Sequence, residues 1–180
     1  MTAINIENLV ATTQLHYQFN LDQVATQVST AEYDPNEKAV VVFHFDDPKS
    51  AVLLSSNGKL VCTGTTTLEQ AEEHLHTVIK QLQTSIDSSI TMQPISQENI
   101  LASADLQRPL DLDTIAQLLL EEHIVYQPEI NPWLRYHLSE GLVVLLFPFG
   151  RLVFLGRGEI SLIEDAFDQL TNKLSSIGFL

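Results

Sequence analysis

The chain is 180 residues long and 44% apolar, with one cysteine, seven glycines and seven prolines, which is enough to build a core and excludes a disordered, collagen-like or disulfide-stapled chain. The longest apolar run, Leu142 to Phe149, contains Pro148 and falls well short of the roughly 20 residues of a membrane span. Nine Lys and Arg against 23 Asp and Glu leave −14, a charge that repels nucleic acid at long range, so DNA binding must come from a local surface.

Halophilic adaptation is the plain reading of such acidity, yet at 18% charged residues the surface is not unusually charged. No basic stretch precedes an apolar one near the N-terminus, so no signal peptide is visible, and the lone Cys62 suits a reducing compartment. A soluble cytoplasmic protein is expected.

In chain order, a short apolar strand is expected over Ile6–Thr12, followed by a helix with Asn20 as its N-cap. Strand-like stretches follow at Ala39–Phe45, Ala51–Ser55 and Lys59–Thr63, the last two joined by the strong hairpin signal Asn57-Gly58. Leu68, Ala71, Leu75, Val78, Ile79 and Leu82 then fall on one helical face behind the capping box Thr67-x-x-Gln70. Gln83–Gln97, rich in Ser, Thr and Gln, reads as a linker.

The pattern then recurs. A strand at Ile100–Ala104 and a helix capped by Asp111 are followed by strands at Leu134–Leu138, Leu142–Phe147 and Arg151–Leu155. The closing helix sets Ile163, Ala166, Phe167, Leu170, Leu174 and Ile177 on one face behind Ser161-x-x-Glu164.

The residues repeat as well as the elements. Asn8-Leu-Val-Ala-Thr12 matches Asn99-Ile-Leu-Ala-Ser103, and Asn20-Leu-Asp-Gln-Val-Ala25 matches Asp111-Leu-Asp-Thr-Ile-Ala116. Tyr33-Asp-Pro35 matches Tyr126-Gln-Pro128, and Gly58-Lys-Leu-Val-Cys-Thr-Gly64 matches Gly150-Arg-Leu-Val-Phe-Leu-Gly156. Four matches in order at a near-constant spacing mark two copies of one unit. The expected organisation is a first repeat over 1–84, a linker over 85–97 and a second repeat over 98–180.

Strands joined by tight turns imply an antiparallel sheet, with the amphipathic helices covering one face. By strand parity the other face carries Val10, Leu53, Val61, Leu101, Leu145, Phe147, Val153 and Leu155. An uncovered apolar face of that size is a binding or self-association surface.

Little in the chain points to chemistry. Asp46-Asp47, Glu72-Glu73 and Glu121-Glu122 sit in turns or on polar helix faces without a convergent nucleophile, and no phosphate loop or metal-spaced cluster occurs. His44 and His137 fall one per repeat, and His74 and His76 do not share a helix face and read as solvated. No enzyme, metal or cofactor is expected.

The carriers Ile6-Glu-Asn-Leu-Val-Ala11, Tyr33-Asp-Pro35, Asp46-Asp-Pro-Lys49, Gly58–Gly64, Tyr126-Gln-Pro-Glu129 and Val143-Val-Leu-Leu-Phe147 resemble the TATA-box-binding protein family, closer to its archaeal than its eukaryotic branch. The resemblance covers nearly the whole chain. It implies an α+β saddle, in which two pseudo-symmetric repeats form a curved antiparallel sheet of about ten strands with helices on the convex face, and the concave face grips and bends the DNA minor groove.

The resemblance also assigns roles. Asn8 and Asn99 correspond to the base-reading asparagines, and Val10, Val61, Thr63, Leu101, Phe147 and Val153 to further groove contacts. Lys49, Lys59 and Arg151 would hold phosphates. Glu129 lies where members meet transcription factor B, and Trp133 nearby is a natural interface anchor if exposed.

The chain departs from the pattern at telling places. Three of four wedge phenylalanines are replaced, by Lys38, Ser55 and Asn131, leaving Phe147; Leu155 stands where a second threonine is expected. Basic positions hold His44, His137, Glu37, Leu142, Thr66 and Gly158. Falling from about eight phosphate contacts to about three would flatten the salt slope from roughly −7 to roughly −3. Two functions follow as expectations: an initiation factor binding promoter DNA or transcription factor B with weakened bending, or a paralogue that binds no DNA and uses its concave face on protein, including a second copy of itself.

Overall fold

A computed structural model describes residues 3–119, 123–139 and 141–180. The described residues form ten strands and four helices: β1 (Asn5–Gln14), α1 (Leu21–Gln27), β2 (Ala31–Glu32), β3 (Val40–Asp46), β4 (Lys49–Ser55), β5 (Lys59–Thr65) and α2 (Leu68–Ser85). The same series returns as β6 (Ser96–Asp105), α3 (Leu112–Leu118), β7 (Ile124–Tyr126), β8 (Leu134–Ser139), β9 (Leu142–Leu146), β10 (Arg151–Gly156) and α4 (Ile160–Ser176).

The chain divides into two compact units, Asn8–Glu98 and Asn99–Leu180, the latter joined by the segment ending at Glu7. In the first unit the strands pair antiparallel in the order β2-β3-β4-β5-β1; in the second the order is β6-β10-β9-β8-β7. The edge strands β2 and β7, two and three residues long, escape the sequence pattern because so short a run carries no alternation.

Period-two burial explains how each sheet packs. In β3 to β5, Val41, Phe43, Val52, Leu54, Leu60 and Cys62 are buried and meet Ala71, Leu75, Val78 and Leu82 of α2. In the second unit Val144, Leu146, Leu152 and Phe154 meet Ile163, Ala166, Leu170 and Leu174 of α4. Intervening strand residues face away from the helices and stay partly open to solvent.

The helix details bear out three N-caps of the sequence reading and correct two other points. Asn20 and Asp111 cap α1 and α3 by accepting from the backbone of Gln23 and Thr114, and Thr67 caps α2 by accepting from Gln70 N. The Ser161/Glu164 box does not form: the chain enters α4 earlier, with Glu159 at the cap and no side-chain capping bond. His74 is buried rather than solvated, because it sits beside Ala71, Leu75 and Val78 on the inward stripe of α2, with Nδ1 2.8 Å from Ser50 Oγ. His76 is exposed.

The expected linker is largely ordered. Gln83 still belongs to α2, Ile90 is buried in the first core, Met92 bridges to Leu15, and β6 begins at Ser96. The pair Glu121-Glu122 lies outside the described residues. No described helix is long and apolar enough to cross a membrane.

Candidate nucleic-acid interface

In the first unit the register aligns Val61, Leu53, Val42 and Glu32 in one row across β5, β4, β3 and β2. The next row holds Thr63, Ala51 and His44. In the second unit the matching rows are Ser103, Val153, Leu145, Arg135 and Val125, and Leu101, Leu155, Val143 and His137. Both sets lie on the face opposite the helices, half-buried or exposed apart from Ser103.

Val10 sits in a bulge of β1, where the pairing slips between Leu9↔Thr65 and Ala11↔Cys62, and it stays half-buried on the free side. Phe147 lies one residue beyond the end of β9, with its N–H bonded to the Arg151 carbonyl at 2.9 Å.

The two asparagines are held differently. Asn8 Nδ2 donates to Thr63 Oγ1 at 3.2 Å, and Asn8 Oδ1 accepts from the Gly64 N–H at 2.7 Å. Asn99 is exposed and makes no side-chain hydrogen bond among the described residues, since the position matching Thr63 is Leu155, which has no polar group to offer.

Two of the three cations assigned to phosphates already hold carboxylates. Lys59 Nζ lies 3.6 Å from Glu98, whose carboxylate also accepts from Thr12 Oγ1 at 3.0 Å. Arg151 lies 3.7 Å from Glu7, which also accepts from the Ser103 hydroxyl. The arrangement repeats residue for residue, and sequence reasoning missed it because neither partner is near in the chain. Lys49 is exposed at the start of β4, with no ion pair among the described residues.

The outer parts of the free faces differ in chemistry. In the first unit Glu32, Asp34, Glu37, Lys38, Val40 and His44 border a cleft of about 330 Å³, and His44 Nε2 lies 3.4 Å from Glu32. In the second, Val125, Gln127, Asn131, Trp133, Arg135 and Leu145 border one of about 600 Å³. Ser55 is half-buried beside the first cleft, and Glu129 is exposed near the second. Leu118, Val125, Ile130, Phe149, Leu155 and Leu162, the large apolar side chains most open to water among the described residues, all belong to the second unit.

No group of His, Cys, Asp and Glu among the described residues is arranged to hold a metal ion. Burial pushes the Cys62 thiol up to about 11, with Thr65 acting in the opposite direction, so it is an inert core residue rather than a nucleophile.

Comparison with known proteins agrees with this geometry. Residues 3–85 and 94–177 match the family described as transcription factor TFIID, or TATA-binding protein. The chain is 38% identical to TATA-box-binding protein F of Halobacterium salinarum, covering 98% of this chain and 96% of that one. It is 39% identical to TATA-box-binding protein 1 of Haloferax volcanii, over 98% and 94% of the two chains. The solved structure of Methanococcus jannaschii TBP superposes with a TM-score of 0.79 at 32% identity, covering 96% of this chain and 98% of that one. With two matched segments spanning both repeats, this chain belongs to the TATA-binding protein family of transcription factors.

Proposed function

We propose that this protein is a transcription initiation factor that docks its free sheet faces in the minor groove of promoter DNA and recruits transcription factor B. The observation that carries the reading is the pair of uncovered apolar rows, each with an asparagine at its strand: Asn8 with Val10, Val61 and Thr63, and Asn99 with Leu101 and Val153. Apolar side chains suit a groove floor whose A·T pairs offer only acceptors, and amide donors at fixed places suit those acceptors. Lys49, Lys59 and Arg151 hold the flanking phosphates, and Glu129 offers an exposed carboxylate to transcription factor B.

The occupied cations support a second reading. With Lys59 and Arg151 already bound to Glu98 and Glu7, little free positive charge remains to draw a polyanion, which favours a module that binds protein, including a second copy of this chain.

Fluorescence anisotropy of a labelled A·T-rich TATA duplex, at about 50 and 200 mM salt, separates the two. The first reading expects sequence-preferring binding that an Asn8→Ala/Asn99→Ala double variant loses. Absence of binding at the lower salt, together with a concentration-dependent dimer indifferent to DNA, would establish the second.

A further inference from the structure

Three aromatic rings stand in a row at one end of the second unit's free face. Trp133 lies opposite Phe147 with ring centroids 5.8 Å apart, and Phe147 lies 5.5 Å from Phe149. The register pairing Leu134 with Leu146 leads directly out to Trp133 and Phe147. In the first unit, Val40 pairs with Ser55 at the matching place and Asn57 occupies the turn, so no ring is present there. Trp133 and Phe147 are half-buried, while Phe149 is 64% exposed.

Charge follows the same division. Arg135, in the row beside the rings, has no ion pair among the described residues. Its counterpart Val42 sits next to Glu32. One cleft is therefore bordered by three carboxylates, Glu32, Asp34 and Glu37, against the single cation Lys38, and the other by Trp133 and the Arg135 guanidinium, with no acidic residue in its lining among the described residues.

We infer that base unstacking is carried out by the second unit alone, with Trp133 joining Phe147 as the inserted wedge and Arg135 entering the minor groove beside it. The inference rests on the minor-groove reading above. An apolar anchor on a protein partner would satisfy the rings but not the guanidinium; an A·T minor groove, with its flat bases and negative potential, satisfies both. Trp133 takes on the role that Asn131 no longer performs. The first unit, presenting Lys38, Val40 and Ser55, docks without parting a base step and asks no deformability of its half of the site. Such a protein reads polarity, because only one end of its target must be a soft pyrimidine–purine step.

Trp133 is the only tryptophan in the chain, so its emission reports directly on stacking. The full-length protein is titrated with duplexes carrying a TA step at both ends of the A·T box, at one end, or at neither, with anisotropy of a duplex label and Trp133 emission followed together. The expected result is loss of about half the Trp133 emission on binding. The one-step duplex should bind within about twofold of the two-step duplex, and the no-step duplex at least about tenfold more weakly. Trp133→Val and Phe147→Ser, which install the first unit's residues, should erase the preference for a soft step, with far-UV circular dichroism confirming that each is folded.

Binding by anisotropy with Trp133 emission unchanged overturns the inference and leaves minor-groove docking standing. A one-step duplex of affinity midway between the other two does the same, because it reveals two wedges. No binding to any duplex at about 50 mM salt removes both. The duplex series with the unaltered protein decides the matter even if a variant fails to fold.

Discussion

Asn8 is bound to Thr63 by a 3.2 Å hydrogen bond between their side chains, and a second bond joins Asn8 to the Gly64 N–H. Asn99, its counterpart in the repeat, has Leu155 at the position that matches Thr63 and makes no side-chain hydrogen bond among the described residues. Asn8→Ala should therefore lower stability by about 1 kcal/mol, whereas Asn99→Ala should stay within about 0.5 kcal/mol. Urea denaturation of the two variants checks this; equal losses would show that the two asparagines are structurally alike.

Glu98 and Glu7 neutralise Lys59 and Arg151. These pairs are half-exposed, so Glu98→Gln and Glu7→Gln should alter stability by less than about 1 kcal/mol. Each should strengthen DNA binding at low salt and steepen the slope of log K against log salt by up to about 0.9 per cation released. Anisotropy titrations across a salt series read both quantities, and an unchanged slope would show that the cations do not reach phosphate.

His74 gives the fold a pH dependence. Burial holds its pKa below the ordinary 6.5, with Glu73 opposing, while Ser50 bonds its ring and Phe45 stacks on it at 4.0 Å. The unfolded chain thus takes up this proton more readily than the native one, so stability is present above about pH 6.5 and is lost as pH falls through the lower native value. Urea midpoints should fall between pH 7 and about 5.5, and His74→Gln should flatten that decline.

Cys62 should resist alkylation in the native state, because it is fully buried and its thiol is pushed up to about 11. Iodoacetamide at about pH 8 should modify it only in urea, and mass spectrometry of the two samples measures the difference. Rapid labelling without denaturant would mean that β5 opens locally.

The helices and inner strands were legible because their periodicity is a local property: Leu75, Val78 and Leu82 repeat at helical spacing, and Val41, Phe43, Val52 and Leu54 alternate. Sequence reasoning went wrong where the deciding partner lay elsewhere. Spacing alone makes both His74 and His76 read as solvated, whereas the neighbours that decide His74 are the apolar stripe of α2 and Ser50 on β4. The Ser161 box matched a motif, but capping depends on where the chain enters the helix. The candidate interface was legible as a free face, since parity alone selects Leu53, Val61, Leu145 and Val153. The carboxylates bound to Lys59 and Arg151 were not, because charge pairing across distant strands leaves no spacing to read.

The exchange of short segments at the unit boundary bears on how the molecule is made. Ile4 and Ile6 pack against the core that contains Ile100, Leu152 and Phe154, so the segment ahead of the first repeat finds its place only after the second repeat has been synthesised. The early repeat can complete its own core by about Ile90, while the segment ahead of it waits. An arrangement of two repeats has in this way lost the independence of its halves: severing the chain near Met92 would separate the second unit from the segment ending at Glu7 rather than release two whole units.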